Sequence, residues 1–200
     1  MTITYRIGLI FAKLLALLFG VRITGERTLP QGPVIVVSNH ISNWDVLMLG
    51  HVFDRQICFM AKKELFKNKF VAWIITALGA FPVDRGSADI NAIRKSLDIL
   101  SGDGVVGIFP QGTRVKDDSS FEVAGGVGMI ALRSGASIVP VHIEGSYKLF
   151  HRTYIDIGEA FKPEKDGARI SKELITNVSG EVANRVIALK EKRHGAQNNK

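Results

Sequence analysis

The 200-residue chain contains a single cysteine, Cys58, so no internal disulfide is possible. Its neighbours Ile57, Phe59 and Met60 suggest a buried thiol in a reducing compartment. Metal-ligand spacing is missing too. His40, His51, His142, His151 and His194 are scattered, with neither His-Glu-x-x-His nor Cys-x-x-Cys, and neither a metal nor another bound cofactor is expected. No Gly-x-Gly-x-x-Gly follows a strand-like run, which argues against a dinucleotide cradle. No Gly-x-Ser-x-Gly elbow surrounds Ser42, which argues against a serine acyl-enzyme. The chain also lacks an unbroken apolar run of the roughly 20 residues that span a bilayer comfortably. Basic residues do not interleave with aromatics, and there is no helix-turn-helix-like segment. The formal charge of +7 and pI near 9.6 therefore point to phosphorylated metabolites or anionic headgroups rather than nucleic acid.

What is present is a composition that is 46% hydrophobic, ample for one core. From Tyr5 to Arg22 an apolar segment carries Arg6, Lys13 and Gly20 at seven-residue steps, a narrow polar stripe on an otherwise apolar helix. The pattern fits a helix lying in the plane of a membrane interface; a single span and packing on the protein's own core are the competing readings, and Lys13 argues against a signal peptide. Residues 1–22 are assigned to this membrane-associating helix, 23–193 to one catalytic domain and 194–200 to a disordered polar tail.

Buried-strand runs are expected at 33–38, 57–60, 80–83, 105–109 and 137–143, where β-branched and other apolar residues dominate. Helices are expected at about 43–53, 70–78, 88–100, 127–132 and 170–192, the third with Ile90, Ile93, Leu97 and Leu100 on its inner face. Residues 115–124 read as an exposed loop. This alternation predicts an α/β fold with a mixed, largely parallel sheet flanked by helices. In such sheets ligands gather beyond the carboxyl ends of the strands.

Polar clusters follow these strands. Asp45 comes five residues after His40, near enough to hold one ring nitrogen of the imidazole. A neutral imidazole, which titrates near about 6.5 when unperturbed, then accepts a proton from an alcohol on the other nitrogen. An activated hydroxyl attacks a carbonyl without a protein nucleophile. Ser42-Asn43-Trp44-Asp45 equally fits a capping box, and one carboxylate with two oxygens can serve both purposes. Arg85 and Arg114 each follow a strand beside a glycine, placing them either as bidentate phosphate ligands or as solvated surface charges. Lys62 and Lys63 add charge near the same edge, and Gly112 and Thr113 offer an amide and a hydroxyl.

In order, Asn39-His40-x-Ser42-x-x-Asp45, Phe81-x-x-x-Arg85, Phe109-Pro110-Gln111-Gly112-Thr113-Arg114 and Val139-Pro140-Val141 resemble the four blocks of the glycerolipid acyltransferases, the 1-acylglycerol-3-phosphate acyltransferase group. The resemblance implies that His40 is the general base and Asp45 its partner. It places Arg85, Gly112, Thr113 and Arg114 on the glycerol phosphate and has Pro140 shape the site. The implied reaction moves a fatty acyl group from coenzyme A or acyl carrier protein to the sn-2 hydroxyl of lysophosphatidic acid on the cytoplasmic face of a membrane, giving phosphatidic acid for phospholipid biosynthesis. Gln111 stands where the family usually has glutamate, and Ala124 or Gly125 where many members have lysine. Another lysophospholipid or glycerol 3-phosphate as acceptor, thioester hydrolysis, and non-catalytic lipid binding are the rival readings.

Overall fold

β-Branched runs form the middle of a seven-stranded sheet in the computed structural model, which describes residues 3–84, 89–114, 121–164 and 169–198. The strands are β1 (Val21–Thr24), β2 (Val34–Ser38), β3 (Ile57–Lys62), β4 (Phe81–Val83), β5 (Val105–Ile108), β6 (Ser137–Gly145) and β7 (Thr153–Ile157), in the spatial order β1-β7-β6-β2-β5-β3-β4. β6 and β7 pair antiparallel and the other neighbours pair parallel, giving the α/β mixed sheet expected from the sequence. All five residues of β2 are buried, because the strand lies at the centre of the sheet with both faces covered.

Side chains alternate across that strand. Val34 and Val36 enter a core with Met48, Leu49 and Val52 of α2 (Trp44–Val52) and Ala12 of α1 (Ile3–Leu18). Ile35 and Val37 face the opposite core, formed with Ile130 and Leu132 of α5 (Gly125–Ser134) and Val178 and Val182 of α6 (Lys172–Asn198). Gly107 in β5 is needed for close approach: a Cβ there would lie 2.2 Å from the Phe59 ring.

α3 (Lys69–Ala77) begins where the Asn68 side chain accepts the Phe70 and Val71 amides, and α4 (Ile90–Ser101) where Asp89 accepts those of Asn91 and Ala92. α4 buries Ala92, Ser96 and Leu100, leaving Ile90 exposed although its spacing suggests the inner face. Cys58 is half-buried rather than enclosed, and burial raises its thiol pKa, disfavouring the reactive thiolate.

Three other differences concern the ends of the chain and the far edge of the sheet. α1 stops at Leu18, and Gly20 lies in the following turn rather than on the helical stripe. β1 and β7 lack the long apolar runs used to find the other strands: β1 is four residues at the sheet edge, and β7 carries buried Asp156. That carboxylate is paired with Arg193 and accepts the Thr24 hydroxyl, which makes its burial tolerable. Of the tail expected to be disordered, residues 194–198 continue α6, and His194 Nε2 stands 3.0 Å from Glu144; residues 199–200 lie outside the described residues. No helix among the described residues is long and apolar enough to cross a membrane.

Candidate active site

The central strand pairs with β5 as far as Val37 and with β6 as far as Ser38, then leaves the sheet. Asn39 continues the contact with its side chain: its amide donates to the Ile143 carbonyl and accepts the Ile143 N–H, both at 2.7 Å. This buried pair of bonds imitates a rung of the ladder and holds the next residue, His40, at the strand exit.

From there the chain turns back on Asp45 in the first turn of α2. His40 Nδ1 lies 2.7 Å from Asp45 Oδ2. The same oxygen accepts the backbone N–H of Ile41 at 2.7 Å and of Ser42 at 2.8 Å. One carboxylate oxygen thus both orients the imidazole and holds the loop amides ahead of α2, whereas the N-cap residue, Asn43, makes no side-chain cap bond and Ser42 Oγ accepts the Trp44 N–H at 3.3 Å. Asp45 is 0% exposed, so these three donors replace the water that a carboxylate requires. Because an ionised carboxylate can only accept, Nδ1 carries the proton toward it, and the imidazole in its neutral form presents its lone pair at Nε2.

Phe109, the residue after β5, stacks on the imidazole with ring centres 4.1 Å apart. Phe59 stacks on Phe109 in turn, at 5.6 Å. Gln111 Oε1 accepts the His40 backbone N–H at 3.4 Å. Gly112 closes the turn through its N–H to the Phe109 carbonyl, with φ +65°, a backbone region that favours glycine. An apolar cleft of about 480 Å3 opens beside this turn, lined by Met60, Ile93, Phe109, Pro110, Val127 and Ile130 among others. A second, more polar cavity of about 540 Å3 is lined by Ser42, Trp44, Glu144, Tyr147 and Lys148 among others.

The structure thus brings His40, Asp45, Gln111 and Gly112 together. Lys63 lies 3.9 Å from Asp84, which lines the apolar cleft, whereas Lys62 pairs with Glu64 at 3.4 Å. Thr113 and Arg114 are exposed and make no hydrogen bond or ion pair among the described residues. Arg85 falls outside the described residues, as do positions 115–120 of the expected loop. The described residues contain no cluster of His, Cys, Asp and Glu suited to a metal ion.

Three neighbours were not singled out from the sequence. Asn39 and Phe109 were visible as parts of ordered blocks, but nothing local revealed the first as a sheet tether or the second as a stacking partner. Tyr147 carried no local signal. Its buried phenol lies close to Asp45, and burial together with the carboxylate charge pushes its pKa well above the ordinary tyrosine value. Neither its hydroxyl nor Asp45 Oδ1 has a well-formed hydrogen bond among the described residues.

Known proteins resemble this chain in sequence and in fold. A 1-acyl-sn-glycerol-3-phosphate acyltransferase of Bacillus subtilis is 36% identical over 134 residues, covering 66% of each chain. One from Streptococcus pneumoniae is 38% identical over 117 residues, 58% of this chain and 43% of that protein. This chain thus spans just under two thirds of the first relative and less than half of the second. The crystal structure of the 1-acyl-sn-glycerophosphate acyltransferase of Thermotoga maritima superposes with a TM-score of 0.73 at 26% identity, covering 94% of this chain and 79% of that one. A family model described as Acyltransferase matches residues 20–144, well over half of the sequence and including His40 and Asp45; the chain belongs to the Acyltransferase family.

Proposed function

We propose that this protein transfers a fatty acyl group from an acyl thioester to the sn-2 hydroxyl of 1-acylglycerol 3-phosphate, forming phosphatidic acid. The observation that carries the reading is the buried His40–Asp45 pair at 2.7 Å, beside an apolar cleft large enough for a lipid chain. With Nδ1–H directed to Asp45, Nε2 of His40 takes the proton of the acceptor hydroxyl as its oxygen attacks the thioester carbonyl. Collapse of the tetrahedral intermediate forms the ester and breaks the carbon–sulfur bond. The proton then passes to the departing thiolate of coenzyme A or acyl carrier protein. Asp45 stabilises the transient imidazolium. Thr113 and Arg114, exposed after the glycine turn, and Lys63 at the cleft rim supply positive charge and donors to the acceptor's phosphate.

The test is an assay of purified protein in detergent with a labelled acyl thioester. Lysophosphatidic acid, glycerol 3-phosphate and lyso-ornithine lipid are offered as acceptors, the last because a lyso-ornithine lipid O-acyltransferase of Pseudomonas aeruginosa is 32% identical over 130 residues. Labelled phosphatidic acid as the main product supports the reading. Free fatty acid alone would replace it with thioester hydrolysis.

Gln111 bears on the strength of this activity. Its oxygen already accepts the His40 amide, and glutamate would keep an acceptor there while adding charge. Gln111→Glu is expected to change kcat by less than about tenfold, equivalent to about 1.4 kcal/mol. A larger gain in steady-state turnover would show that the missing charge limits this chain.

The interfacial role of α1 is tested most cleanly on its outer face. Tyr5 and Ala12 are buried, and Phe19 just beyond the helix joins them in the core, so removing residues 1–20 would uncover protein interior as well as remove an anchor. Ile7, Ile10 and Leu14 are exposed instead. Replacing these three with Gln is expected to lower vesicle binding by more than about tenfold, since each apolar side chain contributes about 1.5–3 kcal/mol when fully buried. The thermal midpoint should stay near that of the parent, and undiminished sedimentation with vesicles would remove α1 as the anchor.

A further inference from the structure

Seven of the nine residues of α3 are apolar, yet none of the nine is buried. Phe70 and Trp73 are 69% and 61% exposed, with their rings stacked at 6.4 Å. Leu65, in the 3₁₀ turn Lys63–Lys67 before the helix, is exposed as well. A short helix of this composition ordinarily turns its apolar side to a core. Here the cap at Asn68 fixes the helix while its large aromatic surface remains in the open.

Two further observations say what covers it. The exposed side chains of Lys62, Lys63, Lys67 and Lys69 all come just before the aromatic pair in sequence, with Glu64 the only acidic residue between Lys62 and Ala77. At the far end of the helix, Leu78 packs on Gly8 of α1, so closely that a Cβ on Gly8 would lie 2.6 Å from the Leu78 side chain. The outward apolar row of α1, Ile3, Ile7, Ile10, Leu14 and Leu17, therefore lies on a helix that meets the residue capping α3.

We infer that α3, with Lys67 and Lys69 at its start, forms a second lipid-contact surface, which docks on an anionic bilayer beside α1. This rests on the reading of α1 as an interfacial helix and adds to it an element from the middle of the catalytic domain. Phe and Trp rings suit the boundary between headgroups and acyl chains, while the lysine stems let their ammonium groups reach phosphate. A bilayer fits better than a small acidic protein because the exposed apolar surface extends over two helices instead of ending at a bounded patch. Docking here has a consequence for access. Lys63 pairs with Asp84 on the rim of the apolar cleft, so seating the lysines on headgroups brings that rim to the lipid surface from which a single-chain acceptor would enter.

Tryptophan emission tests this in the full-length protein. The chain has two tryptophans, Trp44 and Trp73, so the difference between the parent and Trp73→Phe isolates Trp73. Vesicles of phosphatidylcholine with phosphatidylglycerol are expected to shift the Trp73 component to shorter wavelength, and brominated acyl chains to quench it. The double variant Lys67→Gln/Lys69→Gln should need about tenfold more anionic lipid for half-saturation. An unshifted, unquenched Trp73 in protein that still sediments with the vesicles would overturn the role of α3 while leaving the α1 anchor standing. Loss of sedimentation in the parent itself would remove both. A Trp73 response to acyl carrier protein but not to vesicles would assign the surface to a protein partner and overturn the proposal.

Discussion

His40→Ala is expected to lower kcat for acyl transfer by about 10²- to 10⁴-fold, the usual range for loss of a positioned general base. The substitution removes Nε2 and the ring that Phe109 stacks against, but spares the local architecture. Asp45 Oδ2 keeps the Ile41 and Ser42 amides, and Asn39 keeps both bonds to Ile143. Circular dichroism and vesicle binding should therefore match the parent while transfer collapses. KM for the lysolipid should move little, because the imidazole acts on the reacting hydroxyl rather than on the phosphate. Turnover within tenfold of the parent would remove His40 as the base and leave the His40–Asp45 geometry without its proposed chemistry.

At Asp45, two substitutions are expected to separate catalysis from stability. Asp45→Asn can present one oxygen to the donors now gathered at Oδ2, but it has no negative charge to stabilise the imidazolium. A loss in kcat on the order of 10²- to 10⁴-fold follows, with little loss of folding. Asp45→Ala removes the acceptor altogether and leaves the part-buried Ile41 and Ser42 amides unpaired. It should match the Asn variant in lost turnover and in addition lose about 1–3 kcal/mol of unfolding free energy. Denaturant titration beside steady-state kinetics distinguishes the two. Near-parental kcat in Asp45→Asn would show that the carboxylate only braces the loop between His40 and α2.

Much of the framework was readable because it depends on short stretches. The valine-rich run at 34–38 specifies a strand buried on both faces, and the five-residue step from His40 to Asp45 spans one tight loop into a helix. Each requires only near neighbours and a local pattern. Edge strand β1 escaped notice because four residues with alternating exposure give a weak signal. β7 escaped because its buried Asp156 is accommodated by Arg193, a partner far along the chain.

The His40–Asp45 juxtaposition was thus implicit in the order of the residues, as was the succession of strands and helices, since local sterics and hydrophobic periodicity act over a few positions. The company that the pair keeps had another origin. β2 lies between β5 and β6, neither its neighbour in the chain, and that placement brings Phe109 onto the imidazole, Gln111 to its backbone and Ile143 to Asn39. Such pairings are selected by burial on both faces of a whole sheet, a sum over distant segments that no single stretch contains.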